Sequence, residues 1–135
     1  MKQSTCPEEN TLDILKESIS HNSKPVIIEF MAGWSGSCHL TRSGIEQCIR
    51  KYSERITYHK TDIDIHRNIF RYFNIHVLPT IQIFFRGDLE AVLSGLFTPE
   101  DLDNCISRII KKTEMHNPVE AKPNNDGSHK NYMLE

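Results

Sequence analysis

The chain lacks the features that mark most specialised classes. It carries no excess of either charge: 16 Lys and Arg stand against 18 Asp and Glu, a formal net charge of −2 over 135 residues. That balance leaves no electrostatic footprint for nucleic acid or for an anionic membrane surface. No run approaches the roughly 20 apolar residues needed to span a bilayer. Residues 1–9 lack the apolar core of a signal peptide, so the expected compartment is the cytoplasm. Cysteine is sparse, at positions 6, 38, 48 and 105, with neither zinc spacing nor a dense framework. Reduced, separate thiols are the expectation. No two of the seven histidines are four residues apart, and neither a metal site nor a cofactor is expected.

What is present suffices for one packed domain: 38% of the residues are apolar. Leu12, Leu15 and Ile19 recur at helical spacing behind Asn10 and Thr11, which predicts a first helix at 11–21. The unbroken apolar run at 26–31 suits a strand buried on both faces. A helix from 37 to 53 should turn Ile45, Cys48, Ile49 and Tyr52 inward, ahead of a strand at 56–61. A third helix near 65–73 should bury Ile65, Ile69 and Phe73, with Asn74 as the left-handed residue that closes it. Strands at 80–85 and 89–94 flank Arg86-Gly87-Asp88, read as a hairpin turn. Thr98-Pro99-Glu100-Asp101 caps the last helix, whose stripe is Leu102, Cys105, Ile106, Ile109 and Ile110. From 113 to 135 the periodicity stops, which predicts a disordered tail behind a domain at 10–112 and a flexible start at 1–9. The final Leu134-Glu135 has the form of a cloning scar.

One motif stands out. Trp34-Ser35-Gly36-Ser37-Cys38 follows the apolar strand where a helix should begin, and Leu78-Pro79-Thr80 comes some forty residues later. With Glu29, Lys60, Gly87 and Gly95 in this order and spacing, the chain resembles the thioredoxin family, whose active site is Trp-Cys-Gly-Pro-Cys. The resemblance covers roughly 10–110. It implies an α/β thioredoxin fold: a mixed four-stranded sheet in order 56–61, 26–31, 80–85, 89–94, flanked by four helices. The family's extra N-terminal strand is expected to be absent. By the resemblance Ser35 stands at the nucleophile's position and Cys38 at the resolving cysteine's. Glu29 falls at a buried acid that relays a proton, Lys60 at the strand lysine near it, and Pro79 at a cis-proline. Trp34, Gly36, Leu78, Pro79 and Thr80 fall on the groove that pairs with substrate peptides. The chain departs from the pattern at Ser37, where the family has proline, and at Ser43, where a helix-kinking proline is usual.

The missing sulfur sets the chemistry. Dithiol–disulfide exchange needs an attacking thiolate and a second thiol to resolve the mixed disulfide, and Ser35 can be neither. At most Cys38 supplies monothiol chemistry, unless burial leaves it inert. Ser35 reads as natural loss of the nucleophile, as an engineered replacement, or as a helix cap. Glu29 should be buried and paired with Lys60 or water. The first reading is therefore a thioredoxin-like protein with an incomplete site that binds peptide or protein partners. The alternative is a thiol–disulfide oxidoreductase, either with cysteine at position 35 in the parent or using Cys38 with a second thiol. A third is a purely structural adaptor. The implied partners are protein or peptide thiols and disulfides, and a thioredoxin reductase.

Overall fold

The computed structural model describes residues 7–116. Eight elements follow in order: α1 (Pro7–His21), β1 (Val26–Met31), α2 (Gly36–Lys51), β2 (Thr57–Asp62), α3 (Arg67–Tyr72), β3 (Thr80–Phe85), β4 (Asp88–Ser94) and α4 (Pro99–His116). The sheet runs β2-β1-β3-β4, the order the resemblance implies. β1 pairs parallel to β2 and antiparallel to β3, and β3 pairs antiparallel to β4. No fifth strand joins the sheet among the described residues.

Strand alternation divides the core between the two faces of the sheet. Val26, Ile28 and Phe30 pack with Leu15 of α1, Ile69 and Phe70 of α3, and Phe84. Ile27, Ile81, Ile83 and Phe85 pack instead with Ile45 and Cys48 of α2 and with Leu102, Ile106, Ile109 and Ile110 of α4. The hairpin turns at Arg86 (φ 54°) and Gly87 (φ 88°), as its sequence requires, and Asn74 (φ 60°) closes α3.

Four expectations are corrected. α1 begins at Pro7 rather than 11, so the flexible start proposed for 1–9 is helical from residue 7. Proline at the first helical position followed by Glu8 and Glu9 is a start signal in its own right. α4 continues through His116, beyond the expected boundary at 112. Arg55 donates from Nη2 to Glu114, and Thr113 Oγ1 bonds Ile109 O at 3.1 Å, so polar contacts extend this helix after its apolar stripe ends. Ile65 is 58% exposed, because α3 starts only at Arg67 and Ile65 lies in the preceding turn. Phe70 takes the buried position instead. The expectations for Cys6 and for 117–135 lie outside the described residues.

α2 and α4 are in close contact at Gly44, where an added Cβ would lie 2.6 Å from Pro99 Cγ. The Cys48 thiol bonds Pro99 O at 3.4 Å beside it, and burial pushes that thiol's pKa up. Overpacking a tight contact costs roughly 1–3 kcal/mol, whereas replacing a helical glycine by alanine gains at most about 1 kcal/mol. Gly44→Ala is therefore expected to destabilise the domain by about 1 kcal/mol, read as a lower urea midpoint at unchanged m-value.

Candidate functional site

The topology gathers four segments at one end of the sheet. β1 ends at Met31, opposite Asp62 at the end of β2. β3 runs antiparallel, so Thr80 at its start pairs with Phe30 at the end of β1 and with Ser94 at the end of β4. Residues 32–38, 63–66, 77–80 and 95–96 therefore leave the sheet together. Backbone bonds hold the segments in place: Ile63 N–H to Met31 O at 3.0 Å, and Gly95 N–H to Pro79 O at 2.9 Å. The Leu78–Pro79 peptide is cis, and Thr80 Oγ1 bonds Val77 O at 2.5 Å.

Ser35 is the N-cap of α2, with extended backbone (φ −82°, ψ 124°), and its Oγ accepts from Cys38 N–H at 3.2 Å. The residue is 8% exposed and Cys38 5%. A short polar side chain suits this place because the first backbone N–H groups of a helix have no partner within it. Removing the hydroxyl by Ser35→Ala is expected to cost about 1 kcal/mol, measurable by thermal or urea unfolding. Further along α2, the Thr41 hydroxyl instead donates from Oγ1 to Ser37 O at 2.9 Å.

Trp34 stands out of the surface at 67% exposure, its indole N–H bonded to Asp64 Oδ1 at 3.3 Å. His39 clasps the loop that carries it. Because a carbonyl can only accept, His39 Nε2–H donates to Gly33 O (2.7 Å), leaving Nδ1 to accept from Arg42 Nη2 (3.3 Å). Val77 and Leu96 are also exposed. Together with Trp34 they give this end of the sheet an apolar rim.

Glu29 is buried, as expected, but its partner is not Lys60. The two are register neighbours on β1 and β2, yet the Lys60 side chain is exposed and forms no ion pair with Glu29. The Tyr58 hydroxyl donates to Glu29 Oε1 instead. A phenol delivers a hydrogen bond without stripping water from an ammonium, which is the less costly way to satisfy a buried carboxylate. Burial first, then the Glu29 charge and hydrogen bond, push the Tyr58 pKa far above the ordinary phenol range. Tyr58 therefore stays a neutral donor. Among the sequence-derived site residues, Trp34, Ser35, Gly36, Cys38, Leu78, Pro79 and Thr80 come to one end of the sheet. Glu29 lies within the β1 strand leading to them, and Lys60 faces solvent. Tyr58, Asp64 and the clasp made by His39 were not anticipated. Alternation along β2 puts Tyr58 on the same face as Lys60, and that was the available signal for it.

No group of three or more His, Cys, Asp or Glu among the described residues could hold a metal ion. No helix of the described residues is long and apolar enough to cross a membrane. Cys38, Cys48 and Cys105 are free thiols. The arrangement thus has one sulfur at a helix start, a hydroxyl in the preceding cap, and an exposed aromatic beside an apolar rim.

Comparison with known proteins agrees with this geometry. The family model described as thioredoxin matches residues 7–108. A thioredoxin from Acidithiobacillus ferridurans is 30% identical over 90 residues, covering 67% of this chain and 83% of its own length. The chloroplastic M-type thioredoxin of Spinacia oleracea is 27% identical over 95 residues, 70% of this chain, and the match spans only about half (52%) of that relative's length. In three dimensions, oxidized mitochondrial thioredoxin 3 from Saccharomyces cerevisiae superposes with a TM-score of 0.64 at 24% identity, covering 72% of this chain and 89% of that one. The four-stranded mixed sheet with its four helices is the thioredoxin fold, and the chain belongs to the thioredoxin family.

Proposed function

We propose that this member of a family of redox proteins docks extended peptide or protein segments at the groove formed by Trp34, Ser35, Gly36 and the Leu78-Pro79-Thr80 loop, with at most monothiol chemistry at Cys38. The observation that carries this reading is the engagement of Ser35. Its hydroxyl is held by Cys38 N–H as a helix cap, at the position where dithiol chemistry would require a thiolate. Docking needs no sulfur. Backbone groups of an extended loop and an apolar rim are the parts used when peptides are recognised in extended form, and Trp34, Val77 and Leu96 supply exposed apolar surface. Partners in this reading are proteins or peptides bearing thiols or disulfides, with a thioredoxin reductase as the reducing partner should Cys38 form mixed disulfides. The cytoplasm, which keeps thiols reduced, is the compartment we propose.

The test is binding of an oxidised, disulfide-bearing partner peptide to the parent chain, to Cys38→Ala and to Leu96→Asp. The expected result is unchanged affinity for Cys38→Ala and a loss of about fivefold or more for Leu96→Asp. Abolition of binding by Cys38→Ala would replace non-covalent docking with obligatory thiol capture.

A further inference from the structure

Beside the groove a cleft of about 450 Å³ opens between Trp34 and α3, within the range of roughly 300–1,000 Å³ typical of ligand sites. Apolar lining comes from Ile63, Phe70 and Ile75. Its charge comes mainly from Arg67 and Arg71, one helical turn apart on α3. The cleft's one carboxylate, Asp64, already accepts from the Trp34 indole. Arg71 is exposed and enters no ion pair among the described residues. His76, at the mouth toward the 77–80 loop, donates from Nε2 to Asn74 Oδ1 at 2.8 Å.

The cleft continues the groove rather than standing apart from it. Trp34 belongs to both, and Ile75 and His76 lead directly into Val77 and the Leu78-Pro79-Thr80 loop. A chain extended along that loop would carry its neighbouring residues over α3. There the exposed Arg71 guanidinium, which enters no ion pair among the described residues, stands beside the apolar lining. That combination suits a side chain with a short apolar stem and a carboxylate head, since guanidinium forks pair with carboxylates in two-point geometry.

We propose that this cleft selects acidic partners: extended peptides with an Asp or Glu flanking the segment that docks at the Ser35–Pro79 groove. The inference rests on the docking reading above and names its substrate class. A contact across the surface of α3 is partly solvated, so the expected selectivity is modest, about fivefold per pair. It should weaken with salt.

Trp34 is the chain's one tryptophan, so its emission reports occupancy of the cleft directly. Three nine-residue Ala/Val/Ser peptides, identical except for two Glu, two Gln or two Lys, are titrated into the parent chain, Arg71→Gln and Arg71→Glu. The parent is expected to bind the Glu peptide about fivefold or more tightly than the Gln peptide, and the Lys peptide most weakly. The preference should shrink in Arg71→Gln, reverse in Arg71→Glu, and fall in 0.5 M salt. Arg71 is an exposed helical residue, and circular dichroism of both variants checks that the fold survives. Equal affinity for all three peptides would overturn the acidic selectivity and leave docking intact. Binding of none would overturn both. A Glu preference that persists in Arg71→Glu would overturn the assignment to this cleft. Displacement of the Glu peptide by inorganic phosphate at equal concentration would make the cleft a simple anion site and overturn the peptide proposal.

Discussion

Ser35→Cys is expected to turn the chain into a disulfide reductase, measured as insulin reduction with a thioredoxin reductase system. The chain with serine should stay at background, because one sulfur cannot both attack and be resolved. The gain should be at least about a thousandfold, the scale on which losing a nucleophile silences other enzymes. The geometry for it is already in place. A sulfur at position 35 would lie at the start of a 16-residue helix, where the positive end of the dipole stabilises a thiolate. Cys38 is three residues on along the same face, and such a spacing puts the Cα atoms about 5–6 Å apart, within disulfide range. The reduced variant should also lose part of the cap energy, up to about 1 kcal/mol, since a thiol is a poorer acceptor than a hydroxyl.

Ser35→Cys combined with Cys38→Ala should form a mixed disulfide with an oxidised peptide and stop there, visible by mass spectrometry. Background turnover from Ser35→Cys itself would locate the divergence elsewhere, at the groove or at the buried Glu29 with its Tyr58 donor. Turnover by the chain with serine would mean that Cys38 works with a second thiol, and would overturn the incomplete-site reading.

The fold was legible because its strongest signals are local and mutually consistent. The apolar run at 26–31 and the capped stripe at 99–110 define a central strand and a packed helix without any tertiary knowledge. Turn chemistry at Asn74 and at Arg86-Gly87 gave the connections. Ser35 was legible as a cap from its residue type and its place before a helix. What escaped were side chains whose partners come from distant elements. Glu29 and Lys60 are register neighbours, so pairing by charge was the natural guess. The partner is set instead by which donor can enter the core without losing hydration, and that is a property of burial. Ile65 was misassigned because periodicity does not show where a short helix begins. The cationic side of the Trp34 cleft was invisible for a related reason. Arg67 and Arg71 look like ordinary solvated residues until the β1–β2 pairing brings Trp34 and Asp64 alongside α3.

The same packing makes Phe30 the residue on which the site's support depends. It is fully buried at the end of β1, with its ring edge-on to Phe70 at 5.3 Å and tilted against Phe73 at 5.4 Å. Phe70 and Phe73 hold α3 against the sheet, and α3 carries the Arg67–Arg71 wall. Phe30→Ala removes the ring from the centre of this aromatic group and leaves a cavity, at an expected cost of about 3–5 kcal/mol. Against a total of roughly 5–15 kcal/mol for a domain, that is a large share. The midpoint of thermal unfolding should fall by more than about 10 °C. Trp34→Ala is the contrasting case: with its ring largely in solvent, stability should change by less than about 1 kcal/mol while peptide binding falls. A Phe30→Ala protein as stable as the parent would mean that α3 is held chiefly by its contacts with α1. The Lys16 ammonium of α1, 5.0 Å over the Tyr72 ring of α3, would then be the next contact to remove.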